Sequence, residues 1–375
     1  MATNPLLAVA ELGQSIWIDH LDRGRLASGE IRRMIADDGL RGVTSNPTIF
    51  EQAITGDRTY DAAIRALATR GKSAAEIYDA LTIEDIRLAA DEFRAQFDAL
   101  DHRDGFVSLE VSPHLAYDTA ATIAEARRLW RAVDRPNVLI KVPGTRPGLA
   151  AIEALIGEGI SINITLLFGL DRYEQVVNAY FAGLEARASR GESVVVPSVA
   201  SFFLSRIDTA VDAELDRRVR EGVLPAARAA RLRGRTAIAS ARLAYQRYKR
   251  MFAEPRFRAL EARGARTQRV LWASTSTKNP AYGDTYYVDA LIGADTIDTV
   301  PLVTFDAYRD HGHPAARLQE HLGQARGVHD ELRAVGIDLD AVTDQLEREG
   351  VRKFSASYDH LLDVLAHERE HARAS

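Results

Sequence analysis

The stretch NVLIKVPGT, residues 137–145, decides the fold class, because it reads as a strand covered on both faces until its fifth residue. Val138, Leu139, Ile140 and Val142 are the branched apolar side chains of a parallel strand buried under helices. Lys141 interrupts them, and Pro143 and Gly144 stop the strand two residues later, so the amine sits near its carboxyl end. An ammonium in that position either hides among hydrocarbon at high cost or emerges where the strand opens into a site.

Outward from this strand, seven more short apolar runs recur with amphipathic segments between them. They are SIWID (15–19), GVTSN (42–46), FVSLEV (106–111), ISINITLL (160–167), SVVVPSV (193–199), RVLWAS (269–274) and DTIDTV (295–300). Segments such as TAATIAEARRLWRAV (119–133) carry helical periodicity between them. Strands alternating with helices call for parallel pairing through crossovers. Eight such units predict a closed (β/α)8 TIM barrel, with an open doubly wound sheet as the alternative. Residues 207–266 add arginine-rich helices before strand seven, and residues 304–375 form a helical tail over one end of the barrel. No repeat or low-complexity linker divides the chain, so residues 1–375 are read as a single domain.

Composition narrows the function. The 375 residues are 46% hydrophobic and 27% charged, with a net charge of −5, which gives no reason to expect nucleic acid or an anionic membrane as partner. Cysteine is absent, which excludes disulfides, thiolate metal sites and cysteine nucleophiles. No apolar run approaches the roughly 20 residues of a membrane span, and the amino terminus has no signal-peptide pattern. A cytoplasmic location is the expectation, as a monomer or a homodimer.

In barrels, chemistry gathers at the carboxyl ends of the strands. Those ends read Asp19, Asn46, Glu110 and Lys141 for strands one to four, then Asn163 and Thr165 on one face of strand five. After strand six come Ser201 and Arg206, and after strand seven STSTKN, with Ser274, Ser276 and Lys278. Each has a plain structural reading: Asp19 as a helix cap, Asn46 before Pro47 as a turn, Glu110 and Lys141 as an ion pair. Their recurrence at one end of strand after strand argues for a site, because buried ionisable groups are costly unless paired.

An amine held there suggests a Schiff base. Desolvation and cationic neighbours lower a lysine's pKa and free its lone pair to attack a ketone. The iminium then accepts the electrons of an adjacent breaking C–C bond. Glu110 and Asp19 can serve as the acid and base this requires, and Arg206 and Lys278 suit a phosphate. These residue types support a Schiff-base lyase or transferase acting on a phosphorylated ketose.

GVTSNPTIF, SLEVSP, LIKVPGT, GISINITLLF, SVASFFLSRID and LWASTSTKNPAYGDTYYVDALIG resemble, in order over residues 12–305, the signatures of the transaldolase family in its long bacterial form. The resemblance implies a metal-independent, cofactor-free (β/α)8 enzyme acting on small-molecule sugar phosphates, with Lys141 as the Schiff-base residue. It implies Asp19 as acid/base on the C4 hydroxyl, and Glu110 with a water held by Thr165 for proton transfers at the Schiff base. Asn46 and Asn163 would bind the dihydroxyacetone unit, while Ser201, Arg206 and a basic residue after strand seven would take the phosphate. Lys278 stands in that last place with a spacing unlike the short form. The implied reaction moves dihydroxyacetone from sedoheptulose 7-phosphate to glyceraldehyde 3-phosphate in the non-oxidative pentose phosphate pathway. The rival readings are a fructose-6-phosphate aldolase, which would carry glutamine for Glu110 and tyrosine for Phe203, and a non-catalytic sugar-phosphate-binding barrel.

Other motifs carry less. HEREH (367–371) matches H-E-x-x-H but lies at the chain end with nothing downstream to complete a site. HGH (311–313) lacks converging ligands. PGTRPG (143–148) reads as a strand-to-helix turn with Thr145 facing the site.

Overall fold

A computed structural model describes residues 4–374, with side chains as far as His371. Eight parallel strands close in sequence order into one barrel. They are β1 (Gln14–Ile18), β2 (Gly42–Val43), β3 (Phe106–Glu110), β4 (Val138–Pro143), β5 (Ile162–Leu167), β6 (Ser198–Phe203), β7 (Arg269–Ala273) and β8 (Thr296–Val300). Closure runs through β1 and β8, in register from Gln14↔Thr296 to Ile18↔Val300. Nearly every strand residue is buried, as expected for a sheet with side chains packed inside and helices outside.

Two strands differ from the sequence expectation by more than two residues. The valine run of 193–199 is not strand six: pairing with β5 begins at Ile162↔Ser198 and runs to Phe202. Val195 is 45% exposed, and Pro197 has no N–H to give a ladder. Ser201 and Phe203 therefore lie on β6 itself rather than in the loop after it. Strand two ends at Val43, and Asn46 instead caps the helix Pro47–Gly56, its Oδ1 accepting the Ile49 N–H at 3.0 Å.

The insertion forms four helices, Ser205–Arg220, Ala226–Ala229, Thr236–Phe252 and Pro255–Glu261. The tail forms Leu302–His311, Leu322–Ala334 and the 36-residue helix Leu339–Ala374. The insertion and tail meet where Ser240 bonds His329 at 3.0 Å. The last helix crosses the carboxyl-end loops, tied down by Thr48–Ser357 at 2.9 Å and His114–Asp359 at 2.7 Å.

The opposite end is sealed. Asp104, 3% exposed and just ahead of β3, accepts from Ser15 Oγ at 2.6 Å, Trp17 Nε1 at 3.0 Å and Arg269 Nη2 at 3.0 Å. The Trp17 ring lies so close to Gly42 that a Cβ there would come within 2.5 Å of it. Asp104 and its partners plug this end of the barrel.

Asp104→Ala strands the buried Trp17 indole N–H and removes the carboxylate from the partly buried Arg269, and should cost about 1–3 kcal/mol, read as a lower urea midpoint. Turnover per folded molecule should be unchanged, because the plug lies at the end of the barrel away from Lys141.

Candidate active site

At the carboxyl end a cavity of about 350 Å³ opens between the strand ends and the last helix. Lys141 lies at its floor, only 3% exposed. Registers Glu110↔Lys141 and Lys141↔Asn163 place a carboxyl and an amide on the flanking strands at the same height. The Lys141 Nζ donates to the Ser45 carbonyl at 3.0 Å and stands 3.6 Å from Glu110 Oε2. That distance makes an ion pair without a hydrogen bond.

Beneath the floor, Ser201 Oγ donates to Asn163 Oδ1 at 2.7 Å, and Asn163 Nδ2 donates to Ser108 Oγ at 3.0 Å. This chain fixes the Asn163 amide. Glu110 and Thr165 are different: both carboxyl oxygens and the threonine hydroxyl are buried without a hydrogen-bond partner among the described residues. Burial pushes Glu110 up to about 7, against the attraction of Lys141. The next residue of β5, Leu166, has φ 56° at a register shift in the ladder to β6. Left-handed backbone in a branched residue is strained, and such bulges re-aim side chains beside functional sites.

Asp19 lines one wall, its Oδ1 accepting from Thr44 Oγ1 at 3.0 Å, with Thr299 2.7 Å behind that hydroxyl. Burial raises its pKa more than the charges of Lys141 and Arg206 lower it. It caps no helix; Asp22 does that for Arg23–Ala27.

The opposite wall is cationic and aromatic. Arg206 is half-buried, 5.7 Å over the Phe203 ring and 6.0 Å over Phe354, with no carboxylate within ion-pair distance among the described residues. Phe203 leans on Phe168 at 5.3 Å. Ser274, also left-handed at φ 58°, shares a 2.9 Å hydrogen bond with Ser205, while Lys278 Nζ donates to Ser276 Oγ at 2.7 Å. The loop bearing them is held from behind by Thr275, which donates to the buried Asp298 at 2.8 Å.

The structure thus brings Asp19, Asn46, Lys141, Ser201, Phe203, Arg206, Ser274, Ser276 and Lys278 to one cavity, with Glu110, Asn163 and Thr165 packed under it. Thr145 does not reach it; its hydroxyl donates to the Ala116 carbonyl and caps the helix Arg146–Gly157. Thr44, Gln52 and Thr299 line the cavity without having been singled out from sequence, as do Lys353 and Phe354 of the tail. Thr44 and Thr299 sit beside recognisable strand ends, and Gln52 lies on the helix Pro47–Gly56. The last two lie some two hundred residues from Lys141, beyond the reach of any local pattern.

A larger cavity, about 540 Å³, lies behind Phe168 between insertion and tail. Arg247 on its wall pairs with Asp171, and Arg333 pairs with Asp330. His329 is held down to about 4 by burial, with repulsion from Arg247, and is neutral. Among the described residues no group of three or more His, Asp or Glu is placed to hold a metal, and the two HEREH histidines bond each other at 2.9 Å on an exposed helix end.

The buried carboxyls set a pH dependence. An unfolded chain releases these protons near pH 4, whereas the fold keeps Glu110 and Asp298 protonated to about 7. Between those values the folded state binds more protons, so stability should fall as pH rises from 5 to 8. Glu110→Gln, which cannot ionise, should remove about 3 kcal/mol of that fall, measured by urea unfolding across the range.

Comparison with known proteins identifies the family. The family model described as Transaldolase/Fructose-6-phosphate aldolase matches residues 16–365. A transaldolase of Acidothermus cellulolyticus is 48% identical over 373 residues, covering 99% of this chain and 98% of its own. A transaldolase of Frankia alni is 46% identical over 366 residues, 97% of each chain, and one of Saccharopolyspora erythraea is 46% identical over the whole of both. The chain belongs to the transaldolase/fructose-6-phosphate aldolase family.

Proposed function

We propose that this chain is a transaldolase, a transferase moving a dihydroxyacetone unit from sedoheptulose 7-phosphate to glyceraldehyde 3-phosphate and yielding erythrose 4-phosphate and fructose 6-phosphate. The observation that carries this is the Lys141 amine, buried at a cavity floor 3.6 Å from the high-pKa Glu110 and on the same cavity as Asp19.

In this reading Lys141 Nζ attacks the ketone carbon of the donor. Glu110, protonated near neutral pH, gives its proton to the departing carbinolamine hydroxyl, which leaves as water. A water bridging Glu110 and Thr165 would satisfy both orphaned groups and relay that proton. Asp19 takes the proton of the C4 hydroxyl as the C3–C4 bond breaks, and the electron pair passes into the iminium to give an enamine. The aldehyde departs, the acceptor aldehyde enters, and the steps reverse. Asn46 and Asn163 hold the hydroxyls of the bound three-carbon unit. Arg206, with Ser201, Ser274, Ser276 and Lys278, receives the phosphate; an unpaired half-buried guanidinium suits an incoming anion. No metal or organic cofactor enters the scheme. The whole chain, 1–375, acts as one domain in the non-oxidative pentose phosphate pathway of the cytoplasm.

The aldolase alternative releases free dihydroxyacetone and needs a water delivered to the enamine. Phe203 packs on Phe168 and under Arg206 and offers no hydroxyl to place one. Transfer is therefore favoured over release.

Borohydride added with fructose 6-phosphate should inactivate the enzyme and leave a reduced dihydroxyacetone adduct on the peptide containing Lys141, located by mass. Lys141→Ala should fold and lose turnover and adduct together. An adduct on another lysine, with activity surviving in Lys141→Ala, refutes the mechanism. Phe203→Tyr should raise release of free dihydroxyacetone several-fold relative to transfer, assayed with and without glyceraldehyde 3-phosphate. Wild type releasing as fast as it transfers would replace this reading with the aldolase.

A further inference from the structure

The chain contains only five lysines among its 48 basic residues, yet Lys141, Lys278 and Lys353 all line the one 350 Å³ cavity. Lys141 is accounted for by covalent chemistry and Lys278 by the loop after β7. Lys353 comes from the carboxy-terminal helix, which no part of the mechanism above has used.

Its position follows from helix geometry. Residues 350, 353, 354 and 357 share one face at i, i+3, i+4 and i+7. Three of them are inward anchors. Gly350 approaches so closely that a Cβ would come within 2.7 Å of the Leu166 side chain and 3.6 Å of Arg206 Nη1. Phe354 is 2% exposed and lies under Arg206, and Ser357 bonds Thr48. The fourth member of an otherwise buried stripe is a lysine, aimed at the cavity mouth rather than into hydrocarbon.

Among the described residues it has no direct ion-pair partner. Neither Arg206, Lys278 nor Lys353 has a carboxylate within 4 Å among the described residues, although most arginines of the chain do. The acidic neighbour of Lys353 is Glu51, which is engaged by His360 at 2.7 Å. Arg206 and Lys353 repel one another, and both repel Lys278. Three cations without a direct carboxylate partner, from three separate elements, converge on one mouth, an arrangement that a bound anion of high charge relieves. A phosphate monoester carries about −1.5 to −2 charges at neutral pH.

We infer that Lys353 is the third cation of the phosphate site, so that the carboxy-terminal helix completes substrate recognition and sets the preference for phosphorylated over unphosphorylated sugars. The inference rests on the sugar-phosphate reading above. Arg206, half-buried, grips the phosphate from within, and the two exposed lysines close over it at the rim.

The test compares fructose 6-phosphate with unphosphorylated fructose as donors in Lys353→Met, Lys353→Arg and, as comparator, Arg206→Ala. Lys353→Met should lower the ratio of the two kcat/KM values about fivefold, mainly through KM, as for a solvent-accessible charge contact. Inorganic phosphate should inhibit it correspondingly less well, and Lys353→Arg should restore most of both. An equal loss on both donors would make Lys353 a structural residue. An unmoved ratio and unmoved phosphate inhibition, with Arg206→Ala shifting both, would place the phosphate away from the helix. Either result overturns the inference. The borohydride adduct at Lys141 is read separately in wild type, so its absence would mark failure of the Schiff-base reading instead.

Discussion

An ammonium group enclosed in a parallel barrel is the constraint around which this molecule is arranged. Lys141 has hydrocarbon on its own strand on either side, and its charge is tolerated only because Ser45 offers a carbonyl at 3.0 Å and Glu110 a carboxyl at 3.6 Å. Neither contact is a full charge-assisted hydrogen bond to a carboxylate, which would hold the amine in place and blunt it as a nucleophile. Glu110 in turn remains poised near neutrality because burial opposes its ionisation while Lys141 favours it. Each group leaves the other incompletely satisfied.

The two ends of the barrel hold their charged groups differently. At the amino end Asp104, Ser15, Trp17 and Arg269 satisfy one another and make a rigid stopper. At the carboxyl end Glu110 and Thr165 are buried without partners, and Leu166 and Ser274 hold left-handed backbone at the ends of their strands. Unmet hydrogen bonds and backbone strain destabilise a fold, and those at Glu110, Thr165, Leu166 and Ser274 lie where a ligand can meet them.

The additions to the minimal barrel are not separate furniture. The long terminal helix crosses the mouth, its Gly350 pressed against Leu166 at the β5 bulge and its Phe354 beneath Arg206. The inserted helices begin at Ser205, directly after β6, so Arg206 occupies the first turn of the insertion. One wall of the cavity is therefore built jointly by barrel, insertion and tail.

Strand count, strand order and the polar residues at strand ends were legible in the chain, because buried parallel strands leave branched apolar runs and a barrel places its chemistry where those runs stop. Lys141, Glu110 and Asp19 announced themselves as charges in strands that should have none. Strand six was misplaced because Val194, Val195 and Val196 have strand composition, whereas the ladder itself begins only beyond Pro197, which has no N–H to contribute to it. Asn46 as a cap and Thr145 as a structural hydroxyl depended on where the following helices began. Lys353 and Phe354 left no local trace at all: a lysine beside a phenylalanine in a charged helix looks like any solvated face. Residue types and their order thus determined the barrel and its reactive amine, while the long-range packing of the last helix across the mouth decided which distant side chains enclose it, because contacts between residues two hundred positions apart are set by the closed shape and not by local periodicity.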